Sequence, residues 1–113
     1  MPTDDASIAM RAHAMNDMGM LYLQEGKLPE AERWTCNARD LLVPALGEDN
    51  VLAIHASGNA AMARMYRSRG EGGGANDLKR ALEALRQHGL PESHPWVVKF
   101  ASALGSRGAS RKA

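Results

Sequence analysis

Apolar residues along this chain recur at steps of three and four, the spacing that places side chains on one side of a helix. Ile8, Ala12, Met15, Gly19 and Tyr22 trace a first such face. Thr3, Asp4 and Asp5 before it supply an N-cap and acidic charge for the helix start. Gly26 breaks the pattern, and Pro29 opens a second helix with Glu30 and Glu32 in its first turn. Its apolar face is Ala31, Trp34, Ala38 and Leu41 or Leu42, and Pro44 is expected to end or kink it. The turn "GEDN", Gly47 to Asn50, caps a third helix striped with Leu52, Ala56, Ala63 and Tyr66, with Met62 alongside. Gly70 closes it, and Gly72, Gly73 and Gly74 prolong the break. Leu78, Ala81, Leu82 and Leu85 outline a fourth helix, stopped by Gly89 and Pro91. Ser93 is the expected cap of a fifth, whose Val97, Phe100 and Leu104 share a face. Five helices and no strands are the expectation. Residues 1–105 form one domain, and 106–113 a basic, flexible tail.

The pattern repeats itself. Tyr22 to Tyr66 is 44 positions, as is Gly26 to Gly70, while Ala38 to Ala81 is 43. Such a period is that of stacked supersecondary units, none able to bury its apolar face alone. The residue types suit that role. Gly19 and Ala63, with Ala31 and Gly74 opposite, allow paired helices to approach closely, and Tyr22 and Tyr66 fill the space between hairpins. The glycines at 26 and 70 take turn conformations that other residues avoid.

With these residues in view, "MNDMGMLYLQEGKLPEAERWTCNA", Met15 to Ala38, resembles a tetratricopeptide repeat of the longer variant found in kinesin light chains. "SHPWVVKFASALG" resembles the opening of a further repeat in that variant. The resemblance covers roughly residues 12–105. It implies an all-α fold of stacked antiparallel helix hairpins, an α-solenoid of two and a half repeats. This chain departs from the pattern at Gly72, Gly73 and Gly74, where the first repeat has Lys27, Leu28 and Pro29. Asn59 likewise stands where an apolar residue is usual. Two and a half repeats lie near the lower limit for a stable stack, which leads to an expectation of marginal stability or self-association.

The resemblance also implies a function: a non-catalytic interaction or scaffolding module that binds a peptide in a concave groove lined by the first helix of each pair. Carried over by position, His13, Asn16, Asp17, Met20 and Gln24 line it from the first repeat. Ser57, Ala60, Arg64 and Arg67 line it from the second, and Lys99 and Ser102 from the third. Arg64 and Arg67 lie three apart and face one way, and a guanidinium pair beside Lys99 suits a carboxylate or phosphate. The expected partner is a protein or peptide, acidic in the sharper form of the reading. Set against this, any single arginine is more often an ordinary solvated charge. The alternative function is a self-associating structural protein whose groove or end helix packs against another copy. The Met start and polar tail are those expected of a whole chain rather than of an accessory domain of an enzyme.

Composition narrows the remaining classes. Hydrophobic residues make up 44% of 113 positions, enough for one small core, while 4% aromatic residues offer little to strands. A formal net charge of +1 gives no general pull toward nucleic acid or membrane, and Arg107, Arg111 and Lys112 in the tail are too few to add one. The start, "MPTDDASIAM", has acids where a signal peptide carries positive charge, and no segment approaches a membrane span. The single Cys36 fits a reducing compartment, so a cytoplasmic location is expected. No cofactor is expected either. Met10, Met15, Met18, Met20, Met62 and Met65 read as core filler rather than copper ligands, because several fall on or beside the apolar stripes. His13, His55, His88 and His94 lack zinc-ligand spacing. "GEGGGA", Gly70 to Ala75, follows a helix rather than the strand that a dinucleotide fingerprint needs. Cys36 has no base beside it in sequence, and no nucleophile, base and orienter can be assigned.

Overall fold

The structure, a computed structural model, describes residues 4–69 and 72–112, with side chains described as far as residue 105. Five helices are present: α1 (Asp5–Gln24), α2 (Leu28–Leu46), α3 (Val51–Arg67), α4 (Gly74–Gln87) and α5 (Pro95–Lys112). No strand occurs among the described residues.

The helix ends follow from local chemistry. Asp4 caps α1, its side chain accepting from the Ser7 N–H at 2.8 Å. α1 stops at Gly26, which takes φ +78 so that the Lys27 N–H can reach back to the Tyr22 carbonyl at 2.9 Å. Asn50 caps α3, accepting from the Leu52 N–H at 2.8 Å. Gly89, at φ +88, ends α4 in the same manner as Gly26 ends α1, with the Leu90 N–H on the Leu85 carbonyl.

Three expectations change. α2 continues through Pro44 to Leu46, because a proline so near the C-terminus forfeits one bond and leaves the last turn to close at the Gly47 N–H on Val43. The cap of α5 is His94, not Ser93: its Nδ1 accepts from the Trp96 N–H at 3.1 Å, and Pro95 takes the first helical position, where a missing N–H costs nothing. The backbone of 106–112 belongs to α5, where composition led to a flexible tail. The stop expected at Gly70 lies outside the described residues; before it, Arg69 takes φ +56.

Consecutive helices pack against one another all along the chain. Beyond that, α1 touches α3 and α3 touches α5, whereas α2 and α4 make no contact. The odd-numbered helices therefore lie side by side. α3 is the centre of the molecule, and its composition shows how it can be: ten of its residues are buried, most of them Ala, Gly or Met. Ala53 and Ala56 join Ala12, Ala38 and Leu42 in one apolar cluster. Ile54, Ala61, Met62 and Met65 join Leu78, Leu82, Leu85, Val97 and Phe100 in the other.

Two glycines mark where helices meet most closely. A methyl at Gly58 would overlap the ring of the fully buried Phe100, so α5 reaches α3 only because position 58 lacks a side chain. At Gly74 a methyl would lie 2.8 Å from the Met65 nitrogen and 3.1 Å from the Ala61 carbonyl oxygen. Gly74, read from the sequence as a point of close helix approach, is thus the residue that lets α4 dock on α3.

Candidate functional site

The side shared by α1, α3 and α5 holds a polar cluster with its centre at His55. Its ring stacks on that of Trp96, with centroids 3.8 Å apart and planes 7° from parallel. Phe100 and His94 complete the aromatic surround, Phe100 tilted against His55 and His94 edge-on to Trp96. Lys99 Nζ lies 2.9 Å from His55 Nε2, and Asn59 Nδ2 lies 3.3 Å from the same atom. An ammonium and an amide nitrogen are both donors only, so Nε2 must be the acceptor and the ring proton sits on Nδ1. That fixes the tautomer, and with it the orientation of the Asn59 amide.

Electrostatics agree with that assignment. Burial, and then the charge of Lys99, push His55 down to about 2, so it stays neutral. Burial pushes Lys99 down to about 8, against the weaker opposing pull of the Asp17 carboxylate. Lys99 nevertheless has no carboxylate within ion-pair distance among the described residues; its bond is to a neutral ring. Two buried oxygens beside these helices also lack partners: Oδ1 of Asn59, which is fully buried, and Oδ1 of Asn16, which is 6% exposed. An unpaired buried oxygen costs about 1–3 kcal/mol.

The groove residues expected from sequence divide into two sets. His13 and Asp17 sit together on α1, 3.3 Å apart and exposed, and both act electrostatically on the His55–Lys99 pair. Met20 is half-buried and packs against the α3–α5 core, Gln24 is exposed at the end of α1, and Asn16 is turned inward. Arg64 and Arg67 do not join Lys99. Arg64 donates to Asp77 of α4, and Arg67 to Glu32 of α2. The cause is the antiparallel packing, which sets the basic last turn of α3 against acidic residues near the starts of its two neighbours. Nine residues on a helix also amount to about half a turn in angle, so Arg64 projects opposite His55. It lines a cleft of about 730 Å³ on the other side of α3, between α2 and α4, with Arg39, Val43, Pro44, Ile54 and Arg80.

His55, Asn59 and Trp96 were not singled out from the sequence as site residues. A signal for the central pair was available, because His55 and Lys99 are 44 positions apart, the same period that relates Tyr22 to Tyr66. Elsewhere, burial pushes the Cys36 thiol up, chiefly by desolvation, which disfavours the reactive thiolate. No group of three metal-ligating side chains occurs among the described residues, and no described helix is long and apolar enough to cross a membrane. Comparison with protein-family models, curated proteins and solved structures found no match.

Proposed function

We propose that this chain is a non-catalytic helical-repeat interaction module, of the tetratricopeptide kind, that holds an acidic peptide segment along the side shared by α1, α3 and α5. The observation that carries this reading is Lys99. Its ammonium is half-buried, is held in place by a neutral imidazole, and meets no carboxylate within ion-pair distance among the described residues. A carboxylate from outside would supply the missing charge, and hydrogen bonds to a charged group contribute about 1.5–3 kcal/mol. The direct contacts of α1 with α3 and of α3 with α5, at the 44-residue period, support a stack of hairpins. The proposed setting is the cytoplasm.

The test is a titration with a short acidic peptide and with its amidated, Gln-substituted counterpart, followed by tryptophan fluorescence, since Trp96 stacks on His55. Binding of the acidic form is expected to be at least about tenfold tighter, and Lys99→Gln to remove that preference. Equal affinity for the two peptides would dispose of the reading.

A second reading, self-association, is favoured by a separate observation. Met10 and Leu21 are 74% and 47% exposed on one side of α1, and Val98 on α5 is 47% exposed. Light scattering across a concentration series separates the two, because a chain that stays monomeric leaves those surfaces free.

A further inference from the structure

We propose that Lys99 is a nucleophilic amine site that condenses with small aldehydes to form an imine. The proposal does not depend on whether a peptide binds at the same face.

The geometry distinguishes Lys99 from the other lysines whose side chains are described. Lys27 is exposed and lies 3.5 Å from the Glu25 carboxylate, and Lys79 is exposed on α4. Lys99 instead runs along the Phe100 ring, with Nζ 5.3 Å from its centroid, and ends at the His55 imidazole. Water is partly excluded there, and no anion within ion-pair distance among the described residues holds the charged form in place. Both conditions favour the free amine, against the pull of the Phe100 ring face on the charged form. His55 contributes position. Because Nε2 acts only as an acceptor, the free amine keeps one N–H directed at it, and the nitrogen lone pair is left unengaged by the ring. Trp96 and Asn59 fix the ring in turn, and Trp96 is itself anchored by the His94 cap.

The reaction balances without a redox partner. The Nζ lone pair forms a bond to the carbonyl carbon while the carbonyl π pair moves to oxygen. One nitrogen proton passes to that oxygen through solvent to give the carbinolamine. Loss of its hydroxyl and of the second nitrogen proton as one water leaves the C=N bond. The charged groups facing the amine are few: Asp17 of α1 favours the ammonium, and His55 of α3 is neutral. His13 and His94 act on His55 from α1 and from the start of α5. Burial places Lys99 at about 8 against an ordinary 10.5. At neutral pH that leaves about a tenth of Lys99 as free amine, against about one part in three thousand for an ordinary lysine.

The experiment is reductive trapping. The full chain is treated near neutral pH with substoichiometric benzaldehyde and cyanoborohydride, and modification at Lys27, Lys79 and Lys99 is quantified by peptide mass spectrometry. Lower basicity and partial shielding offset part of the gain in free amine, so Lys99 is expected to react at least about tenfold faster than Lys27 or Lys79. Labelling of Lys99 at or below their rate overturns the proposal. Asp17→Asn removes the one carboxylate acting on Lys99, at an exposed position that leaves the core untouched, and is expected to raise the Lys99 rate about two- to threefold. A fall or no change in that variant counts against the site. Trp96→Ala, with helicity checked by circular dichroism, should bring Lys99 toward the rate of Lys79.

Discussion

Replacing Gly58 by alanine sets two effects of known size against each other. Propensity alone favours alanine in a helix interior by about 1 kcal/mol. Packing opposes it, because the added methyl would overlap Cε2 and Cζ of Phe100 and lie 3.1 Å from Ala81 Cβ. Phe100 is fully buried and has little room to retreat, and overpacking of this kind costs about 1–3 kcal/mol. The expected net effect is a loss of up to about 2 kcal/mol. Gly105→Ala is the control: it also lies in a helix, nothing approaches its added methyl within 4 Å, and it should gain up to about 1 kcal/mol. Urea unfolding followed by helical circular dichroism measures both, with an unchanged m-value showing that stability alone has moved. In a Phe100→Leu background the shorter side chain should relieve the clash, so that Gly58→Ala becomes neutral or favourable and the cycle returns a coupling of about 1–3 kcal/mol. If Gly58→Ala stabilised the protein as much as Gly105→Ala does, the close seam between α3 and α5 would be refuted.

Other outcomes follow from the same contacts. Gly74→Ala is expected to cost about 1–3 kcal/mol, because the obstructing atoms are backbone of α3 and cannot rotate away; a neutral result would mean that α4 does not dock as described. Arg67→Ala breaks an ion pair whose arginine is 54% exposed and should change stability by less than about 1 kcal/mol in the same urea assay. His55 gives an acid-side dependence. Folded His55 is held at about 2 while the unfolded side chain titrates near 6.5, so between those values the unfolded chain binds more protons. Stability is therefore complete above about 6.5 and falls with decreasing pH by up to about 1.4 kcal/mol per unit. His55→Phe keeps a ring on Trp96 and should flatten that slope.

The helices were legible in the sequence because each is written in local terms: capping Asp4 and Asn50, stopping Gly26 and Gly89, and apolar stripes at helical spacing. The errors came where two local signals competed. Pro44 is a breaker, but within a few residues of a helix end it has little left to break. Ser93 is the commoner cap, yet His94 stands directly before a proline and can accept through Nδ1. The site was less legible because it depends on which way neighbouring helices turn. Spacing put Arg64 and Arg67 together on α3, but Asp77 and Glu32 on the helices to either side engage them separately. His55 looked like an isolated histidine within its own helix and gains its neighbours only when α5 lies alongside α3.

α3 carries one apolar cluster on each flank, and α2 and α4 never meet across it. Melting α1 and α2 strips one flank of α3 and leaves the contacts among α3, α4 and α5 in place; loss of α4 and α5 does the reverse. Amides in the middle of α3 should therefore be the last to exchange with deuterated solvent, whichever end opens first. The molecule comes apart like a bound volume that sheds its covers one at a time while the spine holds.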